Sequence, residues 1–294
     1  MQSLVPMTLR ALSLAAAIAG ALLLGQPVDA QERRGSAERD RIDIEGTYYR
    51  QPQLLERALA RLQPSRAGQP QLFFVGFAGF GTQAVFKREV LAVRELFDAQ
   101  FSTKGRSLVL INHASTVDDT ALANVSNLER ALQHIGRLMN KDDDVLFLFL
   151  TSHGQKGVFA VEMPGFSLND LTPDVLREVL DNSGIRNRVV VVSACHSGSF
   201  VDALAEPNTL IMTAAHADRT SFGCDDRREW TYFGDAYFNH ALRQQRSFEQ
   251  AFQQASQLIS DWEKKDKLIP SMPQIGGGQA LRAKLTALTG PGKE

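Results

Sequence analysis

Two residues whose types can do chemistry together stand in similar local settings. His153 follows Val145–Leu150 (V-L-F-L-F-L) and Thr151-Ser152, and precedes Gly154. Cys195 follows Val189–Val192 (V-V-V-V) and Ser193-Ala194, and precedes His196-Ser197-Gly198. A thiol becomes a strong nucleophile when an imidazole takes its proton, and the same imidazole can hand that proton to a leaving amine. Cleaving an acyl bond also needs donors aimed at the developing oxyanion. The amides of Gly154 and Cys195 are the candidates, because glycine leaves its N–H unobstructed. Ser193, Ala194, Ser197 and Gly198 are small enough to admit a substrate backbone.

Plainer readings stand beside this one. A cysteine after a valine strand is often a buried apolar filler, and a His-Gly step is often only a turn. His196 is a rival base, but neighbours on an extended chain point to opposite faces. Ser197 lacks the G-x-S-x-G elbow of serine hydrolases. His153, Cys195, His196 and Cys224 show no zinc-ligand spacing. Gly76, Gly79 and Gly81 lack the Lys-Ser/Thr of a phosphate loop and the spacing of a dinucleotide fingerprint. No cofactor or metal is therefore expected.

The two apolar runs read as central strands buried on both faces. Open α/β sheets place their ligands just past the carboxyl ends of such strands. Neighbouring strands lie about 5 Å apart, so the two side chains can meet if these strands are adjacent. Further strands are expected at Leu72–Phe77, Leu108–Ile111 and Thr209–Thr213, with a short extra one at Val158–Val161. Helices are expected from Phe86 to Phe97 (Phe86, Val90, Val93 and Phe97 on one face), over Ala121–Met139, Thr172–Leu180, Ser199–Leu204, Asp235–Arg243 and Phe248–Trp262. Thr172-Pro173 is a cap followed by a first-turn proline. Strands alternating with helices imply a mostly parallel sheet in a three-layer α/β/α sandwich. The polar segment between Ala214 and Thr231 is long for a loop, and loops of that length are usually functional.

Four segments divide the 294 residues. Residues 1–30 have the layout of a secretory signal peptide. Arg10 precedes the apolar Ala11–Leu24, and Val28 and Ala30 suit the small-residue cleavage rule. An uncleaved anchor is the alternative, although the apolar stretch is short against the roughly 20 residues of a membrane span. Residues 31–70 form a charged lead-in, a short amphipathic helix over Gln53–Leu62 and a linker. Residues 71–280 form the α/β domain, and 281–294 a tail. An exported, periplasmic or secreted chain is expected, with no membrane span after leader removal. The formal charge of −1 gives no reason to expect a nucleic-acid partner. Only two cysteines are present. In an oxidising compartment a Cys195–Cys224 disulfide in a catalytically silent binding protein is the competing reading.

Taken together, V-L-F-L-F-L-T-S-H-G, V-V-V-S-A-C-H-S-G-S and T-A-A-H-A-D-R-T-S-F-G-C…W-T-Y-F-G-D resemble the legumain-like cysteine peptidases, over about Gln71 to Gly278. That family, the asparaginyl endopeptidases of the caspase-fold clan, also includes the catalytic subunit of the GPI transamidase. The resemblance implies a caspase-like fold and a peptide or protein substrate. It implies His153 as base and Cys195 as nucleophile. It places Ser193, Ser221, Phe222 and Asp235 in a substrate pocket that takes Asn, and at lower pH Asp, before the scissile bond. Hydrolysis is implied, with transpeptidation through the same acyl-enzyme as the close rival. The chain departs from the family pattern at Ser193 and at Ser152, where members carry acids. The family's arginine-bearing loop has no clear match near Lys87 and Arg88. Gln83 is the nearest counterpart of the family's orienting asparagine. The stretch after Gly278 is short, so a helical C-terminal prodomain of the animal and plant kind is not expected.

Overall fold

The apolar runs become the middle of a six-stranded sheet. The structure is a computed structural model and describes residues 42–289. The strands are β1 Leu72–Ala78, β2 Ser107–Ile111, β3 Val145–Thr151, β6 Arg188–Ser193, β7 Thr209–Thr213 and β8 Gln274–Gly277. Two short strands, β4 Gly154–Gln155 and β5 Val158–Phe159, form a separate antiparallel hairpin. The main sheet runs in the order β2-β1-β3-β6-β7-β8. All neighbours are parallel except the final pair, where β8 runs antiparallel to β7.

Strand alternation explains why the central runs carry no polar residues. Leu146, Leu148 and Leu150 of β3 join one core, and Val145, Phe147 and Phe149 join the other. In β6, Val190 and Val192 face the first core while Val189 and Val191 face the second. Each face is covered by helices, so every position along these strands must be apolar.

The first face packs against α1 Ile44–Leu59, α3 Val125–Leu138, α4 Pro173–Asn182 and the one-turn α5 Val201–Leu204. The second packs against α2 Ala84–Gln100 and α8 Phe248–Lys265. Between β7 and α8 come a single turn, α6 Tyr232–Gly234, a π-helical stretch Asp235–Ala241 and α7 Leu242–Gln244. A last helix, α9 Arg282–Thr289, follows β8. Local capping fixes several starts. Asn124 accepts from the Asn127 amide at 2.8 Å, and Thr172 accepts from the Val175 amide at 3.3 Å with Pro173 in the first turn. The expected three-layer α/β/α sandwich with a mostly parallel sheet is therefore the observed architecture.

Some boundaries differ from the sequence reading. The amphipathic helix expected over Gln53–Leu62 begins at Ile44, and Leu54, Leu55, Leu59 and Leu62 join the core. This helix, which precedes residue 71, thus packs on the same core as the strands. The helix expected from Ala121 starts at Val125, because Asn124 caps it. The tail after Ile269 supplies an edge strand, and its helix α9 carries the buried Leu285. The signal-peptide reading of residues 1–30 and the first part of the lead-in lie outside the described residues. Among the described residues no helix is long and apolar enough to cross a membrane.

Candidate active site

The sheet register brings the two opening residues to equivalent places. β3 and β6 are parallel neighbours, and Thr151 pairs with Ser193 at their carboxyl ends. The Ser152 amide adds one further bond to the Ser193 carbonyl at 3.1 Å. His153 and Cys195 each follow two residues beyond that last pair. Gly154 is pressed against the cysteine segment: a Cβ there would lie 2.7 Å from the Cys195 carbonyl oxygen. Only glycine lets the two segments approach this closely.

His153 is half-buried between two aromatic rings. Phe80 meets it edge-on at 4.5 Å between centroids, and Phe86 at 5.2 Å. Its Nε2 donates to Gln83 Oε1 at 2.5 Å. An amide oxygen only accepts, so Nε2 holds the proton and Nδ1 is left as the basic nitrogen of the neutral ring. Burial lowers the imidazole below its ordinary value, and the charge of Glu162 opposes that shift. The ring is therefore neutral, and able to accept a proton, at neutral pH.

Cys195 is also half-buried, and both cysteines are free. Its Sγ lies between the backbone groups of Ser221, accepting from the amide at 3.3 Å and lying 3.5 Å from the carbonyl. Burial pushes the thiol up, and the Ser221 and Cys195 amides partly offset this. The two shifts favour the neutral form of each group, an unprotonated imidazole at His153 and a thiol at Cys195. Cys224 is pushed up further, to about 12, by burial and by the nearby Cys195 and Glu89. His196 is turned away. It adopts a left-handed conformation at φ 57°, and its Nδ1 donates to the Ala217 carbonyl at 3.0 Å. It holds the loop and leaves the thiol to others.

The long loop reaches the site and is tied down. Asp226 accepts from the Ala84 amide at 2.6 Å, and Arg88 donates to the Asp226 and Arg228 carbonyls at 2.6 and 2.5 Å. Phe222 packs on Tyr232, and its carbonyl accepts from the Tyr232 amide at 3.0 Å. Ser221, the residue before Phe222, is thereby held against Cys195 Sγ. Ser193 is buried under Thr231, with 3.4 Å between their hydroxyl oxygens. Ser152 is buried and donates to the Ala160 carbonyl at 2.7 Å, securing the β4–β5 hairpin. Asp235 stands apart from this group. Its carboxylate accepts from Asn239 at 2.8 Å and lies 3.5 Å from His240 Nε2, in a small cavity of about 200 Å³ lined also by Tyr232 and Trp262. Among the described residues no group of three His, Cys, Asp or Glu could hold a metal ion.

Two site groups escaped the sequence reading. Glu162, which faces His153, lies after the hairpin and carries no local signal. Glu89 is fully buried below the site. Its signal was present: position 89 lies in the apolar stripe of Phe86, Val90 and Val93, where a charged residue is out of place.

A family profile described as the peptidase C13 family matches residues 125–276. The legumain of Canavalia ensiformis is 30% identical over 91 residues, 30% of this chain and 19% of that protein. The vacuolar-processing enzyme of Phaseolus vulgaris is 29% identical over 148 residues, 44% of this chain and 30% of that protein. The matches thus span less than a third of either plant relative. Caspase-1 from Spodoptera frugiperda superposes with a TM-score of 0.48 at 12% identity, over 73% of this chain and 92% of that one.

Proposed function

The chain belongs to the peptidase C13 family, and we propose that it cleaves peptide bonds with Cys195 as nucleophile and His153 as base. One observation carries this reading: both residues lie two positions past the Thr151–Ser193 pair of adjacent parallel strands. As Sγ attacks the scissile carbonyl, its proton passes to His153 Nδ1 and a C–S bond forms. The amides of Gly154 and Cys195 receive the oxyanion. His153 then gives its proton to the leaving amine as the C–N bond breaks. Water, deprotonated by the same imidazole, cleaves the thioester and frees the thiol. An amine in place of water would give transpeptidation.

The finer proposal is a preference for Asn or Asp before the scissile bond. It is supported by Ser221 against the thiol and by Phe222, the next residue, packed on Tyr232. Asp235 belongs to it through the family resemblance, and Ser193 as the floor under Thr231. The layout of residues 1–30 supports export, so the working compartment is proposed to be the periplasm or the exterior. A peptide-library digest tests the reading. Wild type should cleave and Cys195→Ala should not; cleavage that survives the substitution would refute it. Cleavage without Asn or Asp bias would remove the pocket assignment and leave the nucleophile in place.

A further inference from the structure

Beneath the edge that carries His153 and Cys195 lies a carboxyl with no part in the chemistry above. Glu89, on α2, is 0% exposed. Its Oε2 accepts from Thr151 Oγ1 at 2.6 Å. Its Oε1 accepts from Thr231 Oγ1 at 2.7 Å and from the Thr231 amide at 3.1 Å. Thr231 Oγ1 in turn accepts from the Gly234 amide at 3.0 Å and lies 3.4 Å from Ser193 Oγ. One buried carboxyl therefore joins α2, the end of β3 and the start of α6, and reaches the end of β6 through Thr231. Gly234 exists to make room for it, since a Cβ there would lie 1.7 Å from Glu89 Oε1.

The same residue leads to the thiol. Thr231 precedes Tyr232, whose amide is bonded to the Phe222 carbonyl at 3.0 Å, and Ser221 brackets Cys195 Sγ. We propose that Glu89 is a positioning residue, which clamps the loop wall beside Cys195 to the sheet edge and so sets substrate affinity. The substrate is the peptide of the proposed function, and the inference rests on that reading for what binds.

The clamp responds to pH. Burial pushes the Glu89 carboxyl up to about 7, against the hydrogen bonds from Thr151 and Thr231 that favour its charged form. The titratable groups facing it are Asp235, on the following helix, and Cys224, on the loop. The charge of Asp235 further favours the neutral form. No basic group faces it among the described residues. The carboxylate takes all three donors. The neutral acid must place one proton itself, and only a hydroxyl can turn to accept it. The Thr231 amide cannot turn, so acidification loosens the hydroxyl links first.

The test uses the full chain carrying Trp262→Phe, which leaves Trp230, next to Thr231, as the only tryptophan of the two. Trp230 emission should change with a midpoint near 7. Glu89→Gln should abolish that change, because the amide accepts from Thr231 and donates to Thr151 at every pH. Thr231→Ser should keep it. Above the midpoint, Glu89→Gln should raise KM about three- to tenfold, because neutral bonds replace charge-assisted ones, and leave kcat within about twofold. The inference is overturned if the parent shows no transition, an outcome that needs no variant at position 89. It is also overturned if Glu89→Gln keeps the transition or if its loss falls on kcat. A chain that shows the transition yet cleaves nothing would sink the peptidase reading and support the clamp.

Discussion

Gln83 Oε1 accepts the Nε2 proton of His153 at 2.5 Å, and this bond decides which imidazole nitrogen is free. With Nε2 committed, Nδ1 is the nitrogen left free to accept a proton, which under the proposed mechanism is that of the thiol. Gln83 stands at the N-terminal boundary of α2, where it caps no helix amide. Its side chain is therefore free to orient the base. Gln83→Ala should lower kcat about ten- to a hundredfold, the cost of a misaligned catalytic group, with KM little changed. Steady-state kinetics on a cleaved peptide checks this. An unchanged kcat would remove Gln83 from the site.

The pH dependence follows from opposite shifts on the two partners. His153 is lowered by burial, so it remains an unprotonated base below the ordinary imidazole range. The acid limb of kcat/KM should accordingly fall below that of a free histidine. Cys195 is raised by burial, so alkylation by iodoacetamide should climb at a pH above the ordinary thiol range. An alkylation rate already high and flat from mildly acidic to neutral pH would instead mark a preformed ion pair.

Glu89 makes stability depend on pH with a definite sign. Its folded value of about 7 lies above the unfolded value near 4.5. The unfolded chain therefore releases this proton first as pH rises. The contribution is fully present below about 4.5 and is lost as pH rises to about 7. The shift corresponds to about 3 kcal/mol at most. Denaturant melts across that window should slope downward for the wild type, and the slope should flatten in Glu89→Gln.

Close approach makes Gly154 irreplaceable. A methyl at this position would press on the Cys195 carbonyl oxygen at 2.7 Å, so one of the two strand ends must shift. Gly154→Ala should keep the fold within about 1–3 kcal/mol of wild type. It should cost kcat about a hundredfold through displacement of the reacting groups. Melting curves and kinetics together separate this outcome from simple unfolding.

Much of the fold was legible because continuous apolar runs can satisfy only a strand buried on both faces. β3, β6 and β7 lie where their valines, leucines and phenylalanines put them. β8 was not legible, since Gln274–Gly277 has two glycines and no apolar alternation, and tertiary pairing with β7 creates it. Leu54, Leu55 and Leu59 marked an amphipathic helix but not what covers its apolar face, so α1 read as a lead-in. At the site, His153, Cys195 and Gly154 were found from strand ends. Glu89 was passed over because its partners, Thr151 and Thr231, are distant in sequence and neutral. Asp235, assigned by resemblance, is held by Asn239 and His240, which no local pattern foretold.

The proposed peptidase stands or falls with Cys195 as the nucleophile and His153 as its base. The most direct measurement is intact-protein mass spectrometry after reaction with a peptidyl electrophile ending in Asn. One adduct should form in the wild type, located on Cys195 by peptide mapping. Cys224→Ser should keep it, Cys195→Ala should lose it, and His153→Ala should slow it about a hundredfold or more, within the range of a general base. An adduct on Cys224, or a rate indifferent to His153, would contradict the account.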